Sequence, residues 1–300
     1  MKTIDFLKES NIDFLIDEEL NKHTTYKVGG KCDYYCLPDT VEKIVKLIKF
    51  IKENKIKYKV LGNGSNVIIS SNKFNGIIIN LSKLNKVNID GEIVKVDAGY
   101  PVIKLSNLCA NNSLGGLEFA SGIPAQIGGA IYMNAGAYKS DMSQVLIDVT
   151  FIDEKCNIKT LKKEDLDFSY RHSIFQDKDY VIVGATLKLY KANKEEILSL
   201  MNNRRQRRIE SQPLEYPSAG SVFRNPGEDI FSGQLIESLG LKGYSIGGAK
   251  VSEKHANFIV NYNNATSEDI LKLINYIKAK VKEKYDIDLK VEQEFINFGE

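Results

Sequence analysis

Five apolar residues, Val41, Ile44, Val45, Ile48 and Ile51, recur at the spacing of one helix face, with Asp39-Thr40 placed to cap it. A second helix is expected over 194–209, strongly basic in its later half. A third opens on Thr266-Ser267-Glu268-Asp269 and carries the stripe Ile270, Ile274, Ile277 and Val281. A shorter one is predicted from Pro101, where a missing N–H costs nothing, to the Gly115-Gly116 pair. β-Branched and aromatic runs at 58–61, 67–69, 77–81, 93–96, 149–152, 181–190 and 258–262 predict strands. Up to residue 190 strands outnumber helices and do not alternate regularly with them, a pattern that points to α+β and away from a doubly wound sheet. The basic helix followed by Gln212-Pro213 marks the expected boundary, with a smaller α/β unit after it.

Composition narrows the class. With 43% hydrophobic and 27% charged residues the chain is an ordinary globular protein, and disorder is excluded. Lys+Arg 41 against Asp+Glu 39 leaves a charge of +2, so no nucleic-acid partner is expected. The cationic cluster Arg204, Arg205, Arg207 and Arg208 is then read as a solvated helix face. Cys32, Cys36, Cys109 and Cys156 have no metal-ligand or disulfide spacing; no metal is expected, and Cys32 and Cys36 read as small core residues. The charged N-terminus does not resemble a signal peptide, and no apolar run approaches the ~18 residues of a membrane span. The expectation is a reduced, cytoplasmic protein.

Two glycine-rich stretches carry the candidate chemistry. Leu61-Gly62-Asn63-Gly64-Ser65-Asn66 lies between two expected strands, and its N–H groups and the Ser65 and Asn66 side chains suit a pyrophosphate. It lacks the third glycine and following helix of a dinucleotide fingerprint, and taken alone it reads more readily as a tight hairpin. The second stretch runs from Glu118 through Ser121-Gly122-Ile123-Pro124 and Gly128-Gly129-Ala130 to Asn134-Ala135-Gly136-Ala137-Tyr138. Helix packing accounts for Gly128-Gly129-Ala130; the flanking turns suggest a large flat ligand lying along the backbone. No phosphate-binding loop of the nucleotide-hydrolase type occurs.

With these loops in place, the chain resembles the UDP-N-acetylenolpyruvoylglucosamine reductases. The match runs in order through Thr24-Thr25-Tyr26-Lys27-Val28-Gly29-Gly30, the two glycine stretches and Ser169-Tyr170-Arg171. It continues through Pro217-Ser218-Ala219-Gly220-Ser221-Val222-Phe223-Arg224-Asn225-Pro226, residues 252–261, and Glu294 before Gly299. The resemblance implies a vanillyl-alcohol-oxidase-like (PCMH-type) FAD-binding fold of two subdomains, at 1–90 and 91–205. A C-terminal α/β substrate domain follows at 206–300. The short interval between Phe175 and Tyr180 resembles the subclass without an inserted substrate-capping loop. Three positions depart from the family: His23 replaces Asn, and Ala125 and Lys139 each replace Gly.

The resemblance also implies the chemistry. NADPH reduces a non-covalently held FAD, and the enolpyruvyl ether of a UDP-sugar is then reduced, giving UDP-N-acetylmuramate for peptidoglycan. The FAD contacts fall on Gly62, Asn63, Gly64, Ser65, Asn66, Ser121, Gly122, Ile123, Gly128, Gly129 and Ala137. Because these precede the expected boundary, FAD binding is expected to survive removal of the chain after about Glu210, provided the truncated protein folds. Charge develops at the substrate carboxylate and a carbon must be protonated, which calls for a cation, a hydrogen-bond donor and an acid. The motif places Arg171, Glu294 and Ser221 in those roles, and Asn225 and His255 among the substrate contacts. Read singly, Arg171 is a surface ion pair, Ser221 a turn hydroxyl and Glu294 an exposed strand-end charge; the ordered match assigns them together. His172 is read as packing or solvent-facing, not as a flavin anchor. The chain is expected to be a monomer. Two other readings stay open on the residues: a flavoprotein that oxidises an alcohol or amine, and a flavin-binding module without catalysis.

Overall fold

The computed structural model describes residues 2–299. Elements form where the apolar pattern places them. The Val41–Glu53 helix starts at Thr40, whose hydroxyl accepts the Lys43 N–H, and buries Ile44, Leu47, Ile48, Phe50 and Ile51. The Ser267–Tyr285 helix opens on a reciprocal capping box between Thr266 and Asp269 and buries Ile270, Ile274, Ile277 and Val281. The Lys194–Ser211 helix buries only Ile197 and Met201. Its arginines lie along a solvated face, except that the Arg204 guanidinium stacks 4.7 Å from the Tyr138 ring centroid.

Four-stranded and five-stranded sheets form the bulk of the β structure. The first is ordered Asp13–Glu19, Lys31–Leu37, Phe74–Ile79, Tyr58–Val60. The second is ordered Ile158–Lys162, Leu146–Ile152, Val181–Lys188, Ile93–Asp97, Val87–Asp90 and is antiparallel throughout. Strands and helices segregate as an α+β fold does. No helix among the described residues is long and apolar enough to cross a membrane.

The chain divides into two compact units. One comprises the segment up to Ile16, Tyr34–Asn63 and Gly76–Gln206. Its core joins the five-stranded sheet to the helices Val41–Glu53 and Val102–Asn111, with Phe151 packed edge-on to Phe175. The other comprises Asp17–Asp33, Gly64–Asn75 and the chain from Arg207 on. Here Tyr26, Val28 and Ile68 join Val222, Phe223, Ile236, Ile259 and the Ser267–Tyr285 stripe in one core. The Glu294–Ile296 strand pairs in parallel with Val67–Ile69, and a three-stranded antiparallel sheet is built from Ser245–Ile246, Ala249–Val251 and Ile259–Asn261. Cys32 and Cys36 are fully buried core thiols, and burial pushes the Cys32 thiol up to about 12.

Three expectations need correction. Residues 61–66 are not a hairpin: Tyr58–Val60 pairs with Phe74–Ile79, whereas Val67–Ile69 pairs with Glu294–Ile296. The early helix spans Val102–Asn111, with Pro101 as its extended N-cap. It stops short of Gly115 because Ser113 turns left-handed (φ +57°), and Gly115 pairs with Tyr190 in a short strand. The predicted strand 181–190 ends at Lys188 and resumes at Tyr190–Lys191. Tyr26, Val28 and Ile68, early in the chain, share their core with residues beyond Glu210.

Candidate active site

In the first unit the two glycine stretches are tied together. Asn80 donates from one amide to the Leu61 and Gly62 carbonyls, 2.8 Å each, and fixes the start of the first loop. Asn63 then donates to the Pro124 carbonyl at 2.7 Å, joining that loop to the Ser121-Gly122-Ile123-Pro124 turn. The turn is held from within by Ile123 N–H to Ala120 O (3.0 Å) and by the Ser121 hydroxyl to Glu118 O (2.9 Å).

The helix Ile127–Tyr132 follows, and its two glycines have different reasons to be there. A Cβ on Gly128 would meet the Ala98 Cβ at 3.1 Å, and the Gly128 N–H is already given to Ala98 O. This glycine lets the helix pack on the end of the Ile93–Asp97 strand. A Cβ on Gly129 would meet nothing within 4 Å, so packing does not require glycine at 129. An open glycine beside two backbone-lined turns leaves room for a flat ligand to approach the main chain, as the FAD reading requires.

Gly136-Ala137 pairs with Ser140-Asp141 across the two-residue turn Tyr138-Lys139, whose φ values of +56° and +61° are those of a type I′ hairpin. Glycine favours the second of these positions, and Lys139 takes it against its own preference. Arg171 lies nearby in the same unit. One guanidinium N–H donates to the Gly136 carbonyl at 2.8 Å, and the group sits 5.1 Å from the Tyr170 ring centroid. His172 has its Nε2 3.4 Å from carboxylates of both Asp167 and Asp177, a surface position.

In the second unit Gly64, at φ +61°, lies against the backbone of His23 and Thr24: a Cβ there would be 2.1 Å from the His23 carbonyl. His23 itself meets the Glu18 carboxylate at 3.0 Å. Beyond Ser65, Asn66 exchanges bonds with the C-terminal strand, its amide donating to Glu292 O and its carbonyl accepting the Glu294 N–H at 2.9 Å. Residue Gln293, between those two, is buried and donates to the carbonyls of Ala219, Gly220 and Ser221 at 3.0, 3.3 and 3.4 Å. The Ser221 turn and the Glu294 strand are therefore one construction. Asn257 continues it, accepting from Phe223 N–H and donating to Phe223 O.

Asn225 accepts the Ser232 N–H and so caps the Ser232–Ser238 helix. His255 is largely enclosed, with Asn257 N–H donating to its Nδ1 at 3.2 Å. Burial holds its pKa below the ordinary 6.5, with the Lys242 charge adding to the effect. The ring is neutral near pH 7, and with Nδ1 accepting, the proton resides on Nε2. Thus Gly62, Asn63, Ser121, Gly122, Ile123, Gly128, Gly129, Ala137 and Arg171 share one unit; Gly64, Ser65, Asn66, Ser221, Asn225, His255 and Glu294 share the other. Sequence reasoning missed Asn80, Gln176, Asn257 and Gln293, single amides that bond main-chain groups and leave no pattern in the chain.

Two family models match successive stretches of the chain. Residues 32–162 match the family model "FAD binding domain", and residues 212–296 match "UDP-N-acetylenolpyruvoylglucosamine reductase, C-terminal domain". The UDP-N-acetylenolpyruvoylglucosamine reductase of Caldanaerobacter subterraneus subsp. tengcongensis is 44% identical over 97% of this chain and 95% of its own. That of Clostridium botulinum (strain Okra) is 43% identical over 99% and 96%. The crystal structure of the Thermus caldophilus reductase superposes with a TM-score of 0.81 at 32% identity, covering 95% of this chain and 98% of that one. A glucose dehydrogenase, Phl p 4.0202, shares 64% of this chain at a TM-score of 0.51 and 16% identity, a likeness of fold alone. With its PCMH-type FAD-binding fold, its reductase C-terminal domain and near-full-length identity above 40%, the chain belongs to the UDP-N-acetylenolpyruvoylglucosamine reductase family.

Proposed function

We propose that Arg171, Ser221 and Glu294 divide the chemical work of this reductase, and that Asn225 and His255 hold its substrate. The activity is reduction of the enolpyruvyl ether of UDP-N-acetylglucosamine-enolpyruvate to UDP-N-acetylmuramate, in peptidoglycan precursor synthesis. NADPH is the reductant and FAD the cofactor. When bound, FAD supplies the two-electron relay between NADPH and the enolpyruvyl double bond. Gly62, Asn63, Gly64, Ser65, Asn66, Ser121, Gly122, Ile123, Gly129 and Ala137 would hold it; Gly128 lets the Ile127–Tyr132 helix pack.

Reduction at the terminal carbon leaves negative charge at the neighbouring carbon and its carboxylate. Arg171 presents a planar cation suited to that carboxylate. Ser221 gives its proton to the carbon; a hydroxyl is a weak acid, and it serves because its acceptor is carbanion-like. Glu294, in its protonated form, donates a hydrogen bond to the developing anion. His255 offers its Nε2–H, and Asn225 its side-chain amide, to the phosphates or sugar. The observation that carries this reading is the single buried amide of Gln293. It fixes the backbone of the Ser221 turn, and its neighbour in the chain is Glu294. In this reading the protein acts as a monomer in the cytoplasm.

The test is spectroscopic. Purified protein is expected to be yellow, to bleach on anaerobic addition of NADPH, and to recover colour when the enolpyruvyl UDP-sugar is added. Bleaching without recovery by that substrate would reject the assigned reaction.

A further inference from the structure

The turn that carries Arg171 is built against its own backbone preference. Ser169 and His172 face each other across it, with N–H to O distances of 3.3 and 3.2 Å in the two directions. Of the two central residues only Arg171 has a positive φ, +58°. That is the arrangement of a type II turn, whose second central position glycine usually fills. A side chain larger than hydrogen stays there only where surrounding contacts over-determine it.

Three contacts do so. Asn134 donates to the Ser169 carbonyl at 3.0 Å, and the Arg171 guanidinium donates to Gly136 O. The third is Gln176, whose amide nitrogen donates to the carbonyl of Arg171 at 3.0 Å. The same nitrogen donates to the carbonyl of Tyr132 at 2.9 Å. Tyr132 is the last residue of the Ile127–Tyr132 helix, whose carbonyls at that end have no donor within the helix. The Ser173 hydroxyl adds a second bond to Tyr132 O at 2.7 Å. One side chain thus links the end of the helix that carries Gly129 to the main chain of Arg171.

We propose that Gln176 is a positioning residue: it holds the strained Arg171 turn in register with the glycine helix, and so places the guanidinium for the substrate carboxylate. This rests on the assignment of Arg171 above, because Gln176 acts only through it. Without the amide, the carbonyls of Arg171 and Tyr132 lose a common donor. The Arg171–His172 peptide is then released, and Arg171 can relax from its left-handed backbone, which re-aims its side chain.

The experiment compares holoenzymes carrying Gln176→Leu, the near-isosteric Gln176→Met, Arg171→Ala, and each Gln176 variant combined with Arg171→Ala. FAD content, affinity of the oxidised enzyme for the enolpyruvyl UDP-sugar and for UDP-N-acetylglucosamine, and the two half-reactions are measured. Gln176→Leu and Gln176→Met should keep their FAD and their rate of reduction by NADPH. Reoxidation by substrate should slow by about 10- to 100-fold, as misplacement of a reacting group does. Affinity for the enolpyruvyl compound should fall while affinity for UDP-N-acetylglucosamine, which lacks the carboxylate, holds. Added to Arg171→Ala, neither substitution should cause further loss. Equal losses in both backgrounds, unchanged reoxidation, or loss of FAD from both Gln176 variants overturns the positioning role. Wild-type behaviour of Arg171→Ala itself overturns instead the assignment of Arg171.

Discussion

Replacing Gly129 by alanine separates a cofactor contact from a packing contact within one dipeptide. Glycine inside a helix is less stable than alanine by about 0.5–1 kcal/mol, and a Cβ at 129 meets no protein atom within 4 Å. Flavin-free Gly129→Ala should therefore be more stable than wild type by about that amount. At 128 the new Cβ would stand 3.1 Å from the Ala98 Cβ and 3.4 Å from its carbonyl oxygen. Overpacking of that kind typically costs about 1–3 kcal/mol, which outweighs the helix-propensity gain. If FAD lies along the helix at 129, the added methyl intrudes on it, and a tenfold loss of affinity corresponds to ~1.4 kcal/mol. Apoprotein melts with and without added FAD, together with titration of flavin fluorescence, read both quantities. The expected pattern is opposite signs: Gly129→Ala stabilises the apoprotein and weakens FAD at least about tenfold, whereas Gly128→Ala destabilises the apoprotein. FAD bound by Gly129→Ala with wild-type affinity would refute the placement of the cofactor along this helix.

Lys139→Gly should stabilise the protein by roughly 1 kcal/mol, because it relieves a left-handed residue in the Tyr138-Lys139 turn; denaturant melts measure it. Asp153 accepts the N–H groups of Lys155 and Asn157, and backbone hydrogen bonding from Asn157, with the Lys159 ion pair, holds its carboxyl down to about 2. A depressed folded pKa contributes stability above the ordinary 3.8, lost as pH falls toward about 2. The melting-temperature gap between wild type and Asp153→Asn should accordingly be full at pH 5 to 7 and shrink through that acid window. Acid precipitation should release all the flavin to the supernatant; yellow colour retained in the pellet would reveal a covalent link.

What was legible in the chain was local. The stripe from Ile270 to Val281 and the Thr266 cap announce a helix because side-chain period and cap chemistry are both written within a few residues. The pairing of Val67–Ile69 with Glu294–Ile296 is not, since parallel partners separated by more than two hundred residues share no turn that would mark them. For the same reason residues 61–66 resemble a hairpin in sequence while their flanking strands pair elsewhere. Gly64 was visible as a glycine, but its cause, the backbone of His23, lies elsewhere in sequence. At Arg171 the reverse holds: the ordered motif points to the residue, yet its left-handed backbone could not be read from an arginine. Gln176 and Gln293 remained hidden because a glutamine that organises carbonyls looks, in one dimension, like any surface glutamine.

Ser221 as proton donor is the claim on which the chemistry turns, and transient kinetics of Ser221→Ala test it directly. Reduction of the flavin by NADPH does not involve protonation of the enolpyruvyl carbon, whereas reoxidation by the UDP-sugar does. The substitution should leave FAD content and NADPH reduction nearly unchanged and slow reoxidation by at least about 10²–10⁴, the usual contribution of general acid catalysis. Ser221→Cys should recover part of the loss, since a thiol releases its proton more readily. If Ser221→Ala slows both half-reactions equally, the hydroxyl belongs to the architecture of the turn and the proton comes from another group.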